Sequence, residues 1–557
     1  MSSYLRDLFL ERIVSGISRK TLTDAARWAL KYRIMSKPYP GPWTFRYHPW
    51  LLEMHRSKHD INVGQKAAQL GYTETVLNIT FYKIDVESVD CLYVLPNKNP
   101  DAGEFSAGRF DPALELSPHL STLFSDVKNV GHKRAGSTNL YIRGSKSRAG
   151  LKSIPTGLLV MDEVDEMNQD NISLARERMS GQRVKQEWLI STPTIDYYGI
   201  NKYFTQSTQE HYHIKCPSCS KHIALIFPDN LVITGEDPDD PNTRNSHLIC
   251  TECQAILPHA TKPDWLMNGA WIPKYQERDI RGFYINQLYS TTVSPVDLAK
   301  AFLRSKNDPA DEQTFYNDKI GIPHIVEGAR ITEYQLEQAK GNYLNSETKP
   351  ASYLITMGID VGRNLHYEID SWYIPNNLNL NHDSLDFNVQ CKVKVLEVGK
   401  LQHFEELDIL MRKWRVLSAV IDANPERRKA YEFASRFAGH TKLCFYGAGI
   451  VGKQINEPKN PIGDEPTITV DRTSWLDLSL GRYRNQSITI PSNIPNEYKD
   501  HLKALTRIYE KDREGNPVGR YVKGNNDDHY AHARNYAEIA LKFAVAVSSP
   551  YSITSPL

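Results

Sequence analysis

The sequence predicts an α/β protein of several domains: a parallel sheet in the N-terminal half, a metal-knuckle insertion after it, and a second sheet in the last third. Three observations carry this reading. Leu158-Leu-Val-Met161 is an unbroken apolar run ending on Asp162 and Glu163, the pattern of a strand buried on both faces of a parallel sheet. Apolar runs of this kind recur between residues 60 and 205 with helical stretches between them, as a parallel sheet requires. Cys216-Pro-Ser-Cys219 and Cys250-Thr-Glu-Cys253 are paired CxxC knuckles, each able to present two thiolates to one tetrahedral ion. At 557 residues the chain exceeds what one core serves, and about 150 residues per domain implies three or four domains.

Composition narrows the class. Charged residues make up 24% and hydrophobic residues 40%, which is globular rather than disordered. The formal net charge is +1, so contact with nucleic acid must come from local basic patches. No apolar run approaches the roughly 18 residues that cross a bilayer, and no membrane partner is expected. Four of the seven cysteines form the two CxxC pairs, which points to metal in a reducing cytoplasm rather than to disulfides.

Residues 1–40 read as an N-terminal helical segment ending at a Pro- and Gly-rich turn. Trp43-Thr-Phe-Arg-Tyr-His-Pro-Trp50 is aromatic and basic at once. It suits either an adenine ring with Arg46 near a phosphate, or a hydrophobic lid on a helix. Next, Ile61 to Thr75 gives a short apolar lead-in, a Gly71-Tyr72-Thr73 turn with Glu74 beyond it, and a helix expected from Val76. A glycine turn at a helix N-terminus offers backbone N–H groups to a phosphate. The segment does not satisfy GxxxxGK[ST]; Lys66, at the other end of the loop, is the cation available. Strands are expected at Ser88–Leu95, Asn139–Arg143 and Trp188–Thr194. The last ends in hydroxyl residues, Thr192 among them, beside the phosphate loop. Asp162 at a strand tip suits a Mg²⁺ ion and its water shell, and Glu163 suits a water-activating base.

The two knuckles, 30 residues apart, predict a closed structural Zn²⁺ site of Cys216, Cys219, Cys250 and Cys253. Beyond it, Tyr353–Gly362 is an apolar strand carrying Asp360, Phe387–Val398 alternates like an antiparallel strand, and Val416–Ala423 is a buried strand carrying Asp422. Asp527 and Asp528 then open a late helix. Strand-end acids with an acid on a late helix are what an RNase H-like nuclease uses to hold two Mg²⁺ or Mn²⁺ ions. Each acid also suits a plain capping role.

A phosphate loop with a displaced lysine, then Leu-Leu-Val-Met-Asp-Glu, then Ser-Thr-Pro-Thr, in this order, resembles the large terminase subunit of tailed bacteriophages, in its GpA-like branch. The likeness extends from about residue 40 to 545. It implies a P-loop-type ATPase domain at 41–205, a zinc-ribbon insertion at 206–275, a connector at 276–350 and an RNase H-like nuclease domain at 351–557. ATP would be held by Lys66, Gly71, Tyr72, Thr73, Glu74 and Asp162, with Trp43 and Arg46 at the base, Thr192 near the γ-phosphate and Glu163 catalytic. The family's γ-phosphate arginine has Arg148 or Lys152 as its candidates. Nuclease metal would be held by Asp360, Asp422 and Asp528. His532 stands where the family has an acid, and the choice between Asp527 and Asp528 stays open. The resemblance further implies ATP-driven movement of double-stranded DNA into procapsids, cutting of concatemers, and work in the host cell cytoplasm. Its partners would be a small terminase subunit, the portal protein and copies of itself in a ring. Two rivals are a helicase- or repair-type ATPase with a nuclease, and a zinc-ribbon DNA-binding scaffold with a degenerate ATPase loop.

Overall fold

The computed structural model describes residues 22–124, 127–152, 154–375, 386–447, 455–457, 466–511, 517–524 and 526–548. Most of the helical segment expected over residues 1–40 lies outside the described residues, as does Asn525. Within them, Asp24 caps a helix at Ala25–Tyr32 by accepting from the Arg27 N–H. The chain divides into two compact units, Met1–His324 and Ile325–Leu557.

The first unit is built on an 11-stranded sheet. Its parallel centre runs, in spatial order, Glu210–Lys215, Ile280–Ile285, Ile61–Lys66, Gln186–Ser191, Leu158–Asp162, Cys91–Leu95 and Thr138–Gly144. The Leu158–Asp162 strand shows why an unbroken apolar run was needed. Leu158 and Val160 enter one core cluster with Trp188 and Ile190, while Leu159 and Met161 enter another with Val63 and Leu189. Both faces are covered, so every position must be apolar until the strand reaches its acidic tip.

Three expected strands shift by a few residues. The second begins at Cys91, the third spans Thr138–Gly144, and the fourth stops at Ser191, leaving Thr192–Thr194 in a loop. The helix after the glycine turn starts a turn earlier than expected, at Tyr72, because Gly71 takes the left-handed conformation (φ 86°). A Cβ at Gly71 would also lie 2.6 Å from Leu51 Cδ1. Residues 206–275 are woven into this sheet: Glu210–Lys215 pairs with His222–Ala224 and Ala270–Ile272. A separate three-stranded sheet of Leu231–Val232, His247–Ile249 and Ile256–Leu257 stands beside the knuckles.

The second unit holds an eight-stranded sheet with Ile355–Val361 at its centre. On one side it pairs antiparallel with Leu365–Tyr373, which pairs antiparallel with Lys392–Leu401; on the other it pairs parallel with Ser418–Asp422, then Thr441–Tyr446. This is the RNase H-like arrangement. The strand expected over Phe387–Val398 is divided: Asp386–Gln390 is helical, and the strand starts at Lys392. Asn388 is drawn inward there, its carbonyl accepting from Arg482 at 2.7 Å and its amide donating to Glu538 Oε1 at 3.0 Å. Residues 330–350, polar in sequence, fold into this unit. Ile331, Leu336 and Ala339 enter its core, and the Tyr343 hydroxyl donates to the Thr489 carbonyl at 2.7 Å.

Alternation along the central strand sorts its residues by face. Ile355, Met357, Ile359 and Val361 pack into an apolar layer with Leu407 and Phe433. Thr356, Gly358 and Asp360 face the long helix His529–Ser548: the Thr356 hydroxyl donates to Ala537 O at 3.0 Å, and His529 meets Asp360. Gly358 sets the spacing, because a Cβ there would fall 2.0 Å from Ala533 O and 2.2 Å from Ala537 N. Both are backbone atoms that a rotamer change cannot move. Gly358→Ala should therefore destabilise the second unit by about 1–3 kcal/mol or more. Thermal unfolding of the variant at the wild-type temperature would contradict this packing.

Candidate functional site

In the first unit, three neighbouring parallel strands end side by side. Lys66 closes Ile61–Lys66, Ser191 closes Gln186–Ser191, and Asp162 closes Leu158–Asp162, with Gln65 opposite Ser191 and Asp162 opposite Ile190. Across these tips Lys66 Nζ donates to Glu163 Oε1 at 3.1 Å, and Ser191 Oγ donates to Glu163 Oε2 at 3.3 Å. Glu163 sits in the left-handed region (φ 61°), a conformation uncommon for a residue with a side chain. Its N–H still donates to Ile190 O at 2.9 Å, so the chain turns only after the last strand pairing. Burial works against the Lys66 charge, but Glu163 and then Asp162 outweigh it and hold its pKa above the ordinary value.

Asp162 is fully buried. Tyr93 donates to its Oδ2 at 2.6 Å, while Oδ1 has no hydrogen-bond partner. The Thr73 hydroxyl stands close enough to favour the ionised form. Burial, and then the adjacent Glu163, push the carboxyl up to about 6 against the pull of Lys66. An unpartnered carboxylate oxygen beside a hydroxyl offers oxygen donors that fit a divalent cation with its waters.

Lys66 and Glu163 line a cleft of about 910 Å³ that also takes in Gly71, Tyr72, Thr73, Glu74, Thr192 and Trp43, with Asp162 buried behind them. The first-turn amides of helix Tyr72–Asp85, which no intrahelical carbonyl accepts from, belong to this wall. The loop before them is braced: Ala67 N donates to Ile285 O, Ala68 N to Asp318 O, and Trp50 Nε1 to Leu70 O. Glu74 is gripped by Arg33 at 2.7 Å and Arg109 at 3.1 Å.

Several sequence-derived candidates stand elsewhere. Arg46 is solvent-exposed, 3.5 Å from Asp264, and does not line the cleft; Tyr47 and Tyr39 do, with rings stacked at 3.7 Å. Arg148 is exposed and Lys152 likewise, and neither lines the cleft. Besides Lys66, two further cations, Arg109 and Lys146, line with Glu163 an adjoining cavity of about 560 Å³. Thr194 is turned away: its N–H and hydroxyl donate to Asp165 Oδ2 at 2.7 and 2.8 Å. Asp165, whose role the sequence did not reveal, also accepts from Ile200 N at 2.7 Å and so fixes the loop after Ser191.

The four knuckle thiols lie within 4.8 Å of one another, with Cys216 and Cys253 Sγ 3.8 Å apart and Cys219 and Cys250 Sγ 3.9 Å apart. The two knuckles repeat one geometry. Ser220 N donates to Cys216 O and Gln254 N to Cys250 O, each at 2.9 Å, and both donor residues have positive φ. Four convergent thiols on paired turns fit one tetrahedral ion.

In the second unit, Asp360 and Asp422 end adjacent parallel strands, with Ile359 opposite Ile421. Asp422 Oδ1 accepts from Asn424 N at 3.0 Å. Burial, and further the charge of Asp360, raise its pKa to about 6. Asp360 Oδ2 lies 2.8 Å from His529 Nδ1, a contact that raises the His529 pKa. Asp528 is half-buried, 3.2 Å from His532 Nε2, with Arg472 at 3.8 Å and Lys523 at 3.9 Å. Against the effect of burial, His532, Lys523 and Arg472 hold its carboxyl below the usual range. Asp527 is exposed and turned toward Lys523 at 3.7 Å. His532 is fixed from the other side by the Tyr446 hydroxyl, 3.0 Å from Nδ1. The sequence reading missed His366 and His529 beside Asp360. The signal was the alternation in Leu365-His-Tyr-Glu-Ile-Asp370, which puts His366, Glu368 and Asp370 on one face.

Comparison with known proteins matches both units. The profile described as "Phage terminase large subunit gpA, ATPase domain" covers residues 37–271, and "Terminase large subunit gpA, endonuclease domain" covers residues 280–549. The large terminase subunit of Escherichia phage lambda is 23% identical over 348 residues, 56% of this chain and 53% of that protein. That of Enterobacteria phage P21 is 21% identical over 341 residues, 55% of this chain and 52% of that protein. The chain thus spans about half the length of the curated relatives it matches. The crystal structure of the HK97 bacteriophage large terminase aligns with 94% of this chain and 99% of its own, at 12% identity and a TM-score of 0.42. On the two profiles, the chain belongs to the phage terminase large-subunit family and carries both its gpA-type ATPase and its gpA-type endonuclease domain.

Proposed function

We propose that this chain hydrolyses ATP to drive double-stranded DNA into a procapsid and cuts concatemeric DNA with its second unit. The observation that carries the ATPase reading is the meeting of Lys66 and Glu163 at neighbouring strand tips in one cleft, with Asp162 directly behind them. Lys66 would contact the β- and γ-phosphates, and the first-turn amides beyond Gly71 would cradle them. Thr73 and Asp162 would hold Mg²⁺ with its waters, which neutralises charge on the phosphates. Glu163, released from Lys66 when phosphate takes its place, would orient the attacking water. Trp43, Tyr39 and Tyr47 offer the aromatic wall for a base. Arg109 and Lys146, which line the adjoining cavity with Glu163, would meet developing γ-phosphate charge in place of Arg148 or Lys152.

For the nuclease, Asp360, Asp422 and Asp528 would hold the divalent ions, with His532 beside Asp528 positioning the DNA phosphate. The Cys216, Cys219, Cys250 and Cys253 cluster would hold one structural Zn²⁺, and metal analysis of the purified chain finding none would refute that. Partners would be DNA, contacted mainly through phosphates and so salt-dependently, together with a small subunit, a portal and further copies of this chain. Among the described residues no helix is long and apolar enough to cross a membrane. The host cytoplasm is the compartment this reading implies.

Glu163→Gln should lower ATP turnover by about 100-fold or more while ATP still binds, since only the water-orienting carboxylate is lost. Asp360→Asn should leave turnover intact and abolish cutting of plasmid DNA. Full turnover in the first variant would place the catalytic base elsewhere.

A pH profile tests the Mg²⁺ role. Asp162 must be ionised to serve, and its pKa of about 6 lies above the ordinary carboxylate value, so turnover should fall as pH drops through 6. Tyr93 donates to the ionised form. Tyr93→Phe removes that help and should move the acid limb to higher pH, and an unmoved limb would exclude Asp162 as the titrating group.

A further inference from the structure

We propose that Glu74 is a positioning residue for ATP hydrolysis: anchored on the buried Arg33, it holds Arg109 at the wall beside Glu163, ready for the charge that develops on the γ-phosphate. This deepens the ATPase reading and rests on it for the place of the γ-phosphate and for the role given to Arg109.

The bridge is built from the inside outward. His55 is buried, which pushes its pKa down to about 4 and keeps the ring neutral. Its Nδ1 lies 2.8 Å from Leu51 O, which can only accept, so Nδ1 carries the proton and Nε2 accepts from Asn78 Nδ2 at 3.2 Å. That turns the Asn78 carbonyl to Arg33, whose Nε donates to it at 3.1 Å. Arg33, 3% exposed at the C-terminal end of helix Ala25–Tyr32, then donates from a terminal nitrogen to Glu74 Oε2 at 2.7 Å. The other oxygen, Oε1, accepts from Arg109 at 3.1 Å. Each role is set by the one beneath it, so the carboxylate is oriented from the core before Arg109 meets it.

Two further observations separate this bridge from an ordinary surface pair. Glu74 is the third residue of helix Tyr72–Asp85, among the first-turn amides placed to cradle phosphate. A lone carboxylate there would repel the phosphates, whereas two guanidinium groups around it leave one net positive charge. Independently, Arg109 and Glu163 both line the cleft of about 910 Å³ and the adjoining cavity of about 560 Å³, while Lys146 lines only the second. Arg109 therefore stands on the shared wall with the water-orienting acid. Its side chain is 54% exposed, and a long side chain so exposed loses rotamer freedom when it is finally placed. Glu74 orders it beforehand, so that loss does not fall on the step in which charge develops.

The experiment is steady-state ATP turnover with Mg²⁺ by the full chain, resolved into kcat and KM, for Glu74→Gln, Arg109→Ala and the double variant. Glutamine keeps the shape, and its one carbonyl stays with the buried Arg33, which leaves an NH₂ group toward Arg109. Glu74→Gln should lower kcat by about 10-fold with KM for ATP no higher than in the wild type, and Arg109→Ala should lower kcat by about 100-fold or more. In the Arg109→Ala background Glu74→Gln should cause no further loss, whereas a merely structural residue would add its own. Wild-type kcat in Glu74→Gln, a further loss of about 10-fold in the double variant, or a raised KM with kcat intact would overturn the bridge. If Glu74→Gln fails to fold, Glu74→Asp decides: it keeps a carboxylate for Arg33 but falls short of Arg109, so kcat should fall alike, and wild-type kcat would overturn the bridge. A slow Arg109→Ala beside an unaffected Glu74→Gln removes the bridge and leaves the reading of Arg109. Full turnover in Arg109→Ala removes both.

Discussion

The contact between Lys66 and Glu163 across the tips of two strands is what the first unit is built to produce. The two residues are 97 apart in sequence, and only a parallel sheet in a fixed register brings them to 3.1 Å. Between their strands lies Gln186–Ser191, so a slip by one residue would exchange the faces of the strand and remove Ser191 from Glu163. The register is held by burial on both faces, where alternate residues of Leu158–Met161 enter different core clusters. Asp165 and the loop Ala67–Leu70 then fix the two ends from outside the sheet. A lysine in this place faces both acids, opposes the protonation that burial drives at Asp162, and leaves its pairing with Glu163 poised for an anion to displace.

The second unit solves a similar problem with a helix. Its polar face is a single column: Thr356, Gly358 and Asp360 on one strand, and His366, Glu368 and Asp370 on the next. Arg534 joins Glu368, Asp370 and Glu538, and Arg482 joins Glu538 at 2.6 Å, all buried. Charges so deep are tolerated only because each faces a partner, and losing one member would strand the others. The network registers the long helix against the sheet, which is what delivers His529 to Asp360.

Much of this was legible in the sequence because strands buried on both faces leave an unmistakable apolar signature. Leu158–Met161 and Val416–Ile421 each run, as expected, into an acid, Asp162 and Asp422, and the paired CxxC knuckles implied their own convergence. What stayed hidden depended on side-chain direction rather than on element type. Arg46 and Tyr47 are neighbours in one aromatic-basic cluster, yet only the tyrosine faces the cleft. Thr192 and Thr194 were equivalent in sequence until Asp165 claimed the second. The strand expected at Phe387 became a helix because Asn388 answers Arg482 and Glu538, residues about 94 and 150 positions away, and no local pattern encodes that. His366 was passed over for the same reason: its meaning comes from the strand opposite.

The central claim is that Lys66, at the start of the loop, does the work of the lysine absent from its end. Calorimetric titration of ATP with Mg²⁺ into the wild type and into Lys66→Ala tests it most directly, with Lys146→Ala as the comparison. A charged contact of this kind contributes about 1.5–3 kcal/mol, so Lys66→Ala should weaken ATP binding by about 10- to 100-fold and Lys146→Ala far less. Wild-type affinity in Lys66→Ala, with the loss falling instead on Lys146→Ala, would contradict it.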